Sequence, residues 1–462
     1  MAIMNIEMDD WLKSKDSKEY FELVRFPSIG AETNHLKDCV DTAMWLKRWL
    51  EAIGAEAELV VPAEPPSDPG ELTVPVVCGE LKGDGATVLV YGHYDVQPVD
   101  PLGEWKTPPF EPTVRDGRVY ARGAQDDKGQ FFALLCGLRE WLAANPAHHP
   151  TVKFVLEGQE ESGSPTLFRL VNDKAFRQRI SADVMLVCDT SAAAGLRPAI
   201  MAGLRGVVHF TVNLKCANRD LHSGLYGGIA PNAAQAMTEL MASLHNPDGS
   251  IAVAGFRDGI EPPSHDELRE AENGLPDEAA LAGDIGVDPV GGQRGKTVAQ
   301  RLCFEPTIEL NGIHSGYGGP GSKTVIPNTA LAKLSMRLVP GQNPRTVFDA
   351  VKRHFKDHCP KGAQVDVSDA SGFAPGFRLP LASPLFRLAA DILGEMDGRG
   401  AVFQWDGASI PVVSALKDAA GAAPLLVGWG QGDDNIHSPN ESYSLVQFAK
   451  AKEWAMRIFA AL

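Results

Sequence analysis

Apolar residues along the chain fall into two rhythms. Short β-type runs end in polar loops: ATVLVYGHYDV at 86–96, TVKFVLEGQEE at 151–161 and SADVMLVCDTS at 181–191. Between the first two, KGQFFALLCGLREWLAAN repeats at helical spacing through Phe131, Leu134, Leu135, Leu138, Trp141 and Leu142. This strand–helix–strand alternation predicts an α/β fold, a mostly parallel sheet with helices on both faces. The pattern changes after MAGLRG, near residue 203. VVHFTVNLKC and ALAKLSMRLVP alternate like half-exposed strands, and NPRTVFDAVKRHFKDHC is helical. PNAAQAMTELMASLH is an amphipathic helix with Pro231 in its first turn. The stretch 246–300 is polar and rich in Gly and Pro. Together these predict an inserted α+β unit with an antiparallel sheet. From about 378 the α/β rhythm returns, with helices near 383–395, 409–419 and 443–461 and the strand APLLVGWG. The expected organisation is a catalytic domain split between 1–202 and 377–462, interrupted by an insert at 203–376.

Composition narrows the classes. Of 462 residues, 44% are hydrophobic and 22% charged, which excludes general disorder. The formal net charge of −16 disfavours nucleic acid and anionic membrane as partners. No basic segment followed by an apolar stretch opens the chain, so no secretion signal is expected. The apolar runs fall short of the ~20 residues that cross a bilayer. Seven cysteines, an odd number without a CxxC pair, predict a reduced, cytoplasmic protein and argue against Cys-ligated zinc. The Gly-rich IHSGYGGPGSK does not match a phosphate loop, there is no GxSxG, and no cysteine sits in a catalytic motif.

Metal-type ligands fall just beyond strands. They are His93 and Asp95 in GHYD, Asp126 and Asp127 in RGAQDDKG, Glu160 and Glu161 in EGQEESG, Asp189 in VCDTS, and His437 in GQGDDNIHSPNES. In an open α/β sheet, loops at the carboxyl ends of strands converge on one rim. Each residue alone has a structural alternative. Asp126 and Asp127 suit the cap and first turn of a helix starting near Gln130, and Glu160–Glu161 suits a solvated turn. Jointly they do not, because three carboxylates and two imidazoles buried together require cations. Asp126, Glu161 and Asp189 carry three negative charges, which two divalent ions and a bridging hydroxide balance. Imidazole plus carboxylate suits Zn²⁺, with Mn²⁺ and Co²⁺ also compatible. Asp95 is placed to accept the second ring N–H of His93.

GHYDVQP, RGAQDDKG, EGQEESGS, the Asp of LVCDT and the His of NIHSPNE resemble, in order, the motifs of the two-metal amidohydrolases. That family includes the carnosine dipeptidases, carboxypeptidase G, aminoacylase and succinyl-diaminopimelate desuccinylase. KTVIPNTALAKLSMRLVP and RDLHSGLYGG most resemble its cytosolic nonspecific dipeptidase branch. The resemblance implies that Asp126 bridges two metals, that His93 and Asp189 complete one site, and that Glu161 and His437 complete the other. It implies Glu160 as general base and a cis peptide after Asp126. It also implies His222, Thr324, Arg337 and Ser409 as substrate-binding residues, with His222 serving the partner subunit of a homodimer. The insert would then be a lid and dimerisation domain. Gly407-Ala408-Ser409 departs from the family's Gly-Gly-Ser and bears on substrate range.

Mechanistically, water between two cations is acidified from a pKa of ~15.7 toward ~7. Glu160 can take its proton and pass it to the leaving amine, while Arg337 suits a peptide's C-terminal carboxylate. Taken without the resemblance, Arg337 also fits an exposed ladder position and His222 a turn cap. The expected activity is metal-dependent hydrolysis of dipeptides or short peptides. An N-acyl-amino-acid deacylase and a non-catalytic scaffold on the same fold are the alternatives.

Overall fold

A computed structural model describes residues 8–68, 70–407 and 409–462. Ala408 therefore lies outside the described residues. The chain divides into two compact units: residues up to Ala202 with Pro380–Gln404 and Ala415–Leu462, and Gly203–Leu379 with Trp405–Ser414. Trp405–Ser414, which the sequence reading assigns to the returning catalytic segment, packs within the second unit.

The first unit is built on a sheet in the order Glu56–Val60, Val76–Leu81, Thr151–Glu157, Thr87–His93, Val184–Val187, Ala423–Gly428, Ala199–Leu204. The four strands from 151–157 to 423–428 run parallel. The flanking pairs are antiparallel. The central strands read as continuous apolar runs because both faces are covered. The helix Lys128–Ala144 follows the 87–93 strand in sequence, and its first half is fully buried. Gly92 allows this packing: a Cβ there would lie 2.6 Å from the Cβ of Phe131. The final helix, Leu445–Ala461, buries Phe448, Trp454, Ile458 and Phe459.

The second unit holds an antiparallel sheet in the order Thr307–Ser315, Thr329–Leu338, Gly206–Lys215, Gln364–Ala374. Alternation along these strands puts Val208, Phe210, Val212 and Leu214, with Ala332, Leu334 and Met336, on one face. That face shares a core with Met237 and Leu240 of the helix Ala233–Ala242, and with Val347, Val351 and Phe355 of Pro344–Asp357. Both helices begin on asparagine caps: Asn232 accepts from the N–H groups of Ala234 and Gln235, and Asn343 from those of Arg345 and Thr346. Pro231 thus precedes the cap instead of occupying the first turn, because Asn232 supplies the stronger start signal. The polar stretch 246–300 contains two further helices, His265–Gly274 with a full capping box and Glu278–Ile285. Among the described residues no helix is long and apolar enough to cross a membrane, and the seven cysteines are free.

Candidate metal centre

The ligand-type residues sit where strands of the first unit end. His93 is the last residue of its strand, Glu160 and Glu161 open a 3-10 turn three residues past Glu157, and Asp189 lies two past Val187. Asp126 precedes the helix Lys128–Ala144, and His437 lies in the loop after Ala423–Gly428. The Asp126–Asp127 peptide is cis.

Two groups of donor atoms result: His93, Asp126 and Asp189, and Asp126, Glu161 and His437, each with its atoms within 4.8 Å of one another. His93 Nε2 is 3.1 Å from Asp126 Oδ1 and 3.8 Å from Asp189 Oδ2. His437 Nε2 is 3.0 Å from Asp126 Oδ2 and 3.3 Å from Glu161 Oε2. Ligand bonds of ~2.0–2.2 Å at a tetrahedral ion put donor atoms roughly 3.3–3.6 Å apart, so both groups have the right span. One carboxylate, Asp126, gives an oxygen to each.

The charge balance also calls for cations. Burial works against the ionised form of Asp126, yet hydrogen bonds from His437 and His93 hold it below the usual carboxylate range. The same contacts, first Asp126 and then Glu161, push His437 up to about 10. Burial raises Asp189 well above its ordinary value, with His93 opposing. Three carboxylates held largely out of water and brought together with two imidazoles are costly to keep ionised without a cation, which fits a divalent-ion site.

Asp95 does more than orient His93. Its carboxylate is fully buried, with Oδ1 3.4 Å from His93 Nδ1. The Asp95 carbonyl lies nearer that ring nitrogen, at 3.2 Å. The two carboxylate oxygens accept the N–H groups of Glu160 and Glu161, each at 3.1 Å. Asp95 therefore ties the strand end at His93 to the turn that carries the next two acids. Burial pushes Glu160 up to about 7, with His93 opposing and Glu161, Asp95 and Asp126 adding to the rise. Asp127 stands at the helix N-cap without a capping bond; its Oδ2 accepts His93 N–H at 3.2 Å instead. The helix starts at Lys128, two residues earlier than the start expected near Gln130.

Two contacts escape the sequence reading. The Gln97 side-chain amide donates to Glu161 Oε2 at 2.8 Å. Glu441, fully buried, accepts from Arg122 and from backbone N–H groups of the Asp126 loop. Both lie inside quoted motifs, GHYDVQP and NIHSPNES, but only burial separates them from solvated loop residues.

The remaining site candidates belong to the second unit. His222 is exposed; its Nδ1 accepts Gly224 N–H at 3.0 Å, the turn cap that its sequence context allows. Thr324 Oγ1 lies 3.3 Å from His222 Nε2. Arg337, paired in the sheet with Thr307 and Val207, donates from Nη1 to Ser409 Oγ at 2.9 Å. The four thus form two pairs, His222 with Thr324 and Arg337 with Ser409.

A doubly covered α/β sheet that gathers imidazoles and carboxylates at its strand ends defines a class, the metal-dependent hydrolases. The family model "Peptidase family M20/M25/M40" matches residues 89–461, and the chain belongs to that family. It is a peptidase, a hydrolase of peptide bonds, as the motif resemblance implies. Human Beta-Ala-His dipeptidase is 30% identical over 427 residues, 91% of this chain and 81% of that protein. The Cys-Gly metallodipeptidase dug1 of Schizosaccharomyces pombe is 30% identical over 454 residues, 92% of this chain and 91% of that one. Among solved structures, the M20 family metallo-carboxypeptidase Sso-CP2 of Sulfolobus solfataricus aligns with a TM-score of 0.85 at 27% identity, covering 97% of this chain and all of its own.

Proposed function

We propose that this protein hydrolyses dipeptides with a free C-terminal carboxylate, using two divalent ions held by His93, Asp126, Asp189, Glu161 and His437. One observation carries the reading: two three-donor groups share Asp126, and Glu160 stands beside the ligand Glu161 on a turn fixed by Asp95. When bound, such ions polarise the scissile carbonyl and make water available as hydroxide near neutral pH. The chain's own residues supply the proton traffic. Glu160 is raised toward neutrality by burial, which suits a group that takes a proton from water and returns it to the leaving amine. The guanidinium of Arg337 suits a carboxylate, and Ser409, Thr324 and His222 offer further polar contacts.

Zn²⁺ is the proposed metal, from the imidazole and carboxylate donor set. We further propose a cytoplasmic homodimer joined through the second unit, with His222 acting in the partner's site. A strictly monomeric, fully active enzyme overturns that role of His222. The dipeptidase relatives support dipeptides over N-acyl amino acids as substrates. The test is a panel of dipeptides and of N-acetyl and N-succinyl amino acids, run on metal-depleted protein reconstituted with Zn²⁺, Mn²⁺ or Co²⁺. Faster dipeptide turnover supports the proposal. Preference for acyl amino acids makes the protein a deacylase, and no hydrolysis with any metal refutes both.

A further inference from the structure

Glu441 lies four residues beyond His437 and has no solvent exposure. Its Oε1 accepts the N–H groups of Gln125 and Asp126 at 3.0 and 3.2 Å. Its Oε2 accepts the N–H of Gly123 at 3.0 Å and Nη1 of Arg122 at 2.8 Å. The Glu441 carbonyl in turn accepts Ala121 N–H at 3.1 Å. Five donors from 121–126 therefore converge on one residue of the His437 loop. The same two segments are zipped on either side of this point. Ser442–Ser444 pairs antiparallel with Arg118–Tyr120, and Arg118 also binds Asp434, Gln431 and Ser442. The loop bearing Asp126 and the loop bearing His437 are thus one construction, although 311 residues separate the two side chains in sequence.

We propose that Glu441 is a positioning residue that sets Asp126 opposite His437 before any ion arrives. The proposal rests on the reading of Asp126 and His437 as metal ligands. Its consequence is specific. Asp126 is the residue common to both donor groups among the described residues, so displacing it weakens both ion sites together. Gln cannot substitute for Glu441, because both carboxylate oxygens face N–H donors and an amide turns a third donor toward them.

The experiment follows zinc binding to Glu441→Gln by native mass spectrometry and chelator competition, with His437→Ala for comparison. Loss of a supporting partner of a ligand typically costs roughly 10- to 100-fold in metal affinity. Glu441→Gln is expected to lose that much for both ions at once, with no stable one-ion species. His437→Ala is expected to keep the ion at His93, Asp126 and Asp189. Two ions bound with unchanged affinity in Glu441→Gln overturn the proposal. A wild-type protein that binds no ions overturns the reading beneath it instead. Hydrogen exchange on the metal-free wild type gives an arm that needs no variant. Slow exchange at the amides of Gly123, Gln125 and Asp126 supports a preset loop, and exchange at solvent-exposed rates overturns it.

Discussion

Asp95→Asn isolates the bracket under Glu160 and Glu161. In the native protein each Asp95 oxygen accepts one backbone N–H at 3.1 Å, from Glu160 and from Glu161. Asn retains one acceptor and turns an amide N–H toward the other donor. A hydrogen bond to a charged acceptor is worth ~1.5–3 kcal/mol, and an unpaired buried N–H costs ~1–3 kcal/mol. The site cannot relax freely, since a Cβ on Gly30 would already lie 2.8 Å from Asp95 Oδ2, so the space is filled. If the strain is felt by the turn, about 2–4 kcal/mol comes off transition-state stabilisation, roughly 30- to 1000-fold in kcat/KM. His93 should be spared, because the Asp95 carbonyl still accepts from Nδ1 at 3.2 Å. The assay is kcat and KM for a dipeptide at saturating Zn²⁺, with metal stoichiometry and a urea midpoint on the same preparation. A folded, metal-replete Asp95→Asn enzyme within about threefold of wild type would refute the bracket.

Glu160→Ala should retain both ions and lose turnover by roughly 10²- to 10⁴-fold; near-normal turnover would remove Glu160 as the base. Arg337→Ala should raise KM for dipeptides by roughly 10- to 150-fold, the worth of one charge-assisted contact, while leaving metal content unchanged. An unchanged KM would assign Arg337 to the sheet alone. Chelation should abolish activity and lower the thermal midpoint, because ions that bind only the folded cluster stabilise it by mass action; re-addition of Zn²⁺ should restore both. Gly92→Ala forces a methyl against Phe131 and should cost about 1–3 kcal/mol in urea unfolding, as overpacked cores do. A variant as stable as wild type would mean that the strand and helix part more easily than their packing implies.

Local pattern alone determined much of this protein. Apolar runs ending at His93, Glu157 and Val187 marked the parallel strands, and the shift in rhythm near residue 203 marked where a different sheet begins. The acids and histidines just past those runs could be picked out because a parallel sheet leaves its loops on one edge. Tertiary structure decided what chain neighbours do not encode. Asp127 looked like a helix cap and instead holds the His93 backbone. Asp95 looked like a partner for one ring and, besides lying 3.4 Å from that ring, braces the turn of two acids. Trp405–Ser414 looked like part of the returning α/β segment and instead brings Ser409 to Arg337 in the other unit. Glu441 and Gln97 gave no local sign, because a polar residue in a loop reads the same whether solvent or a buried donor set awaits it. Periodicity reports which side of an element avoids water; which distant backbone satisfies a buried charge is settled only when the segments meet.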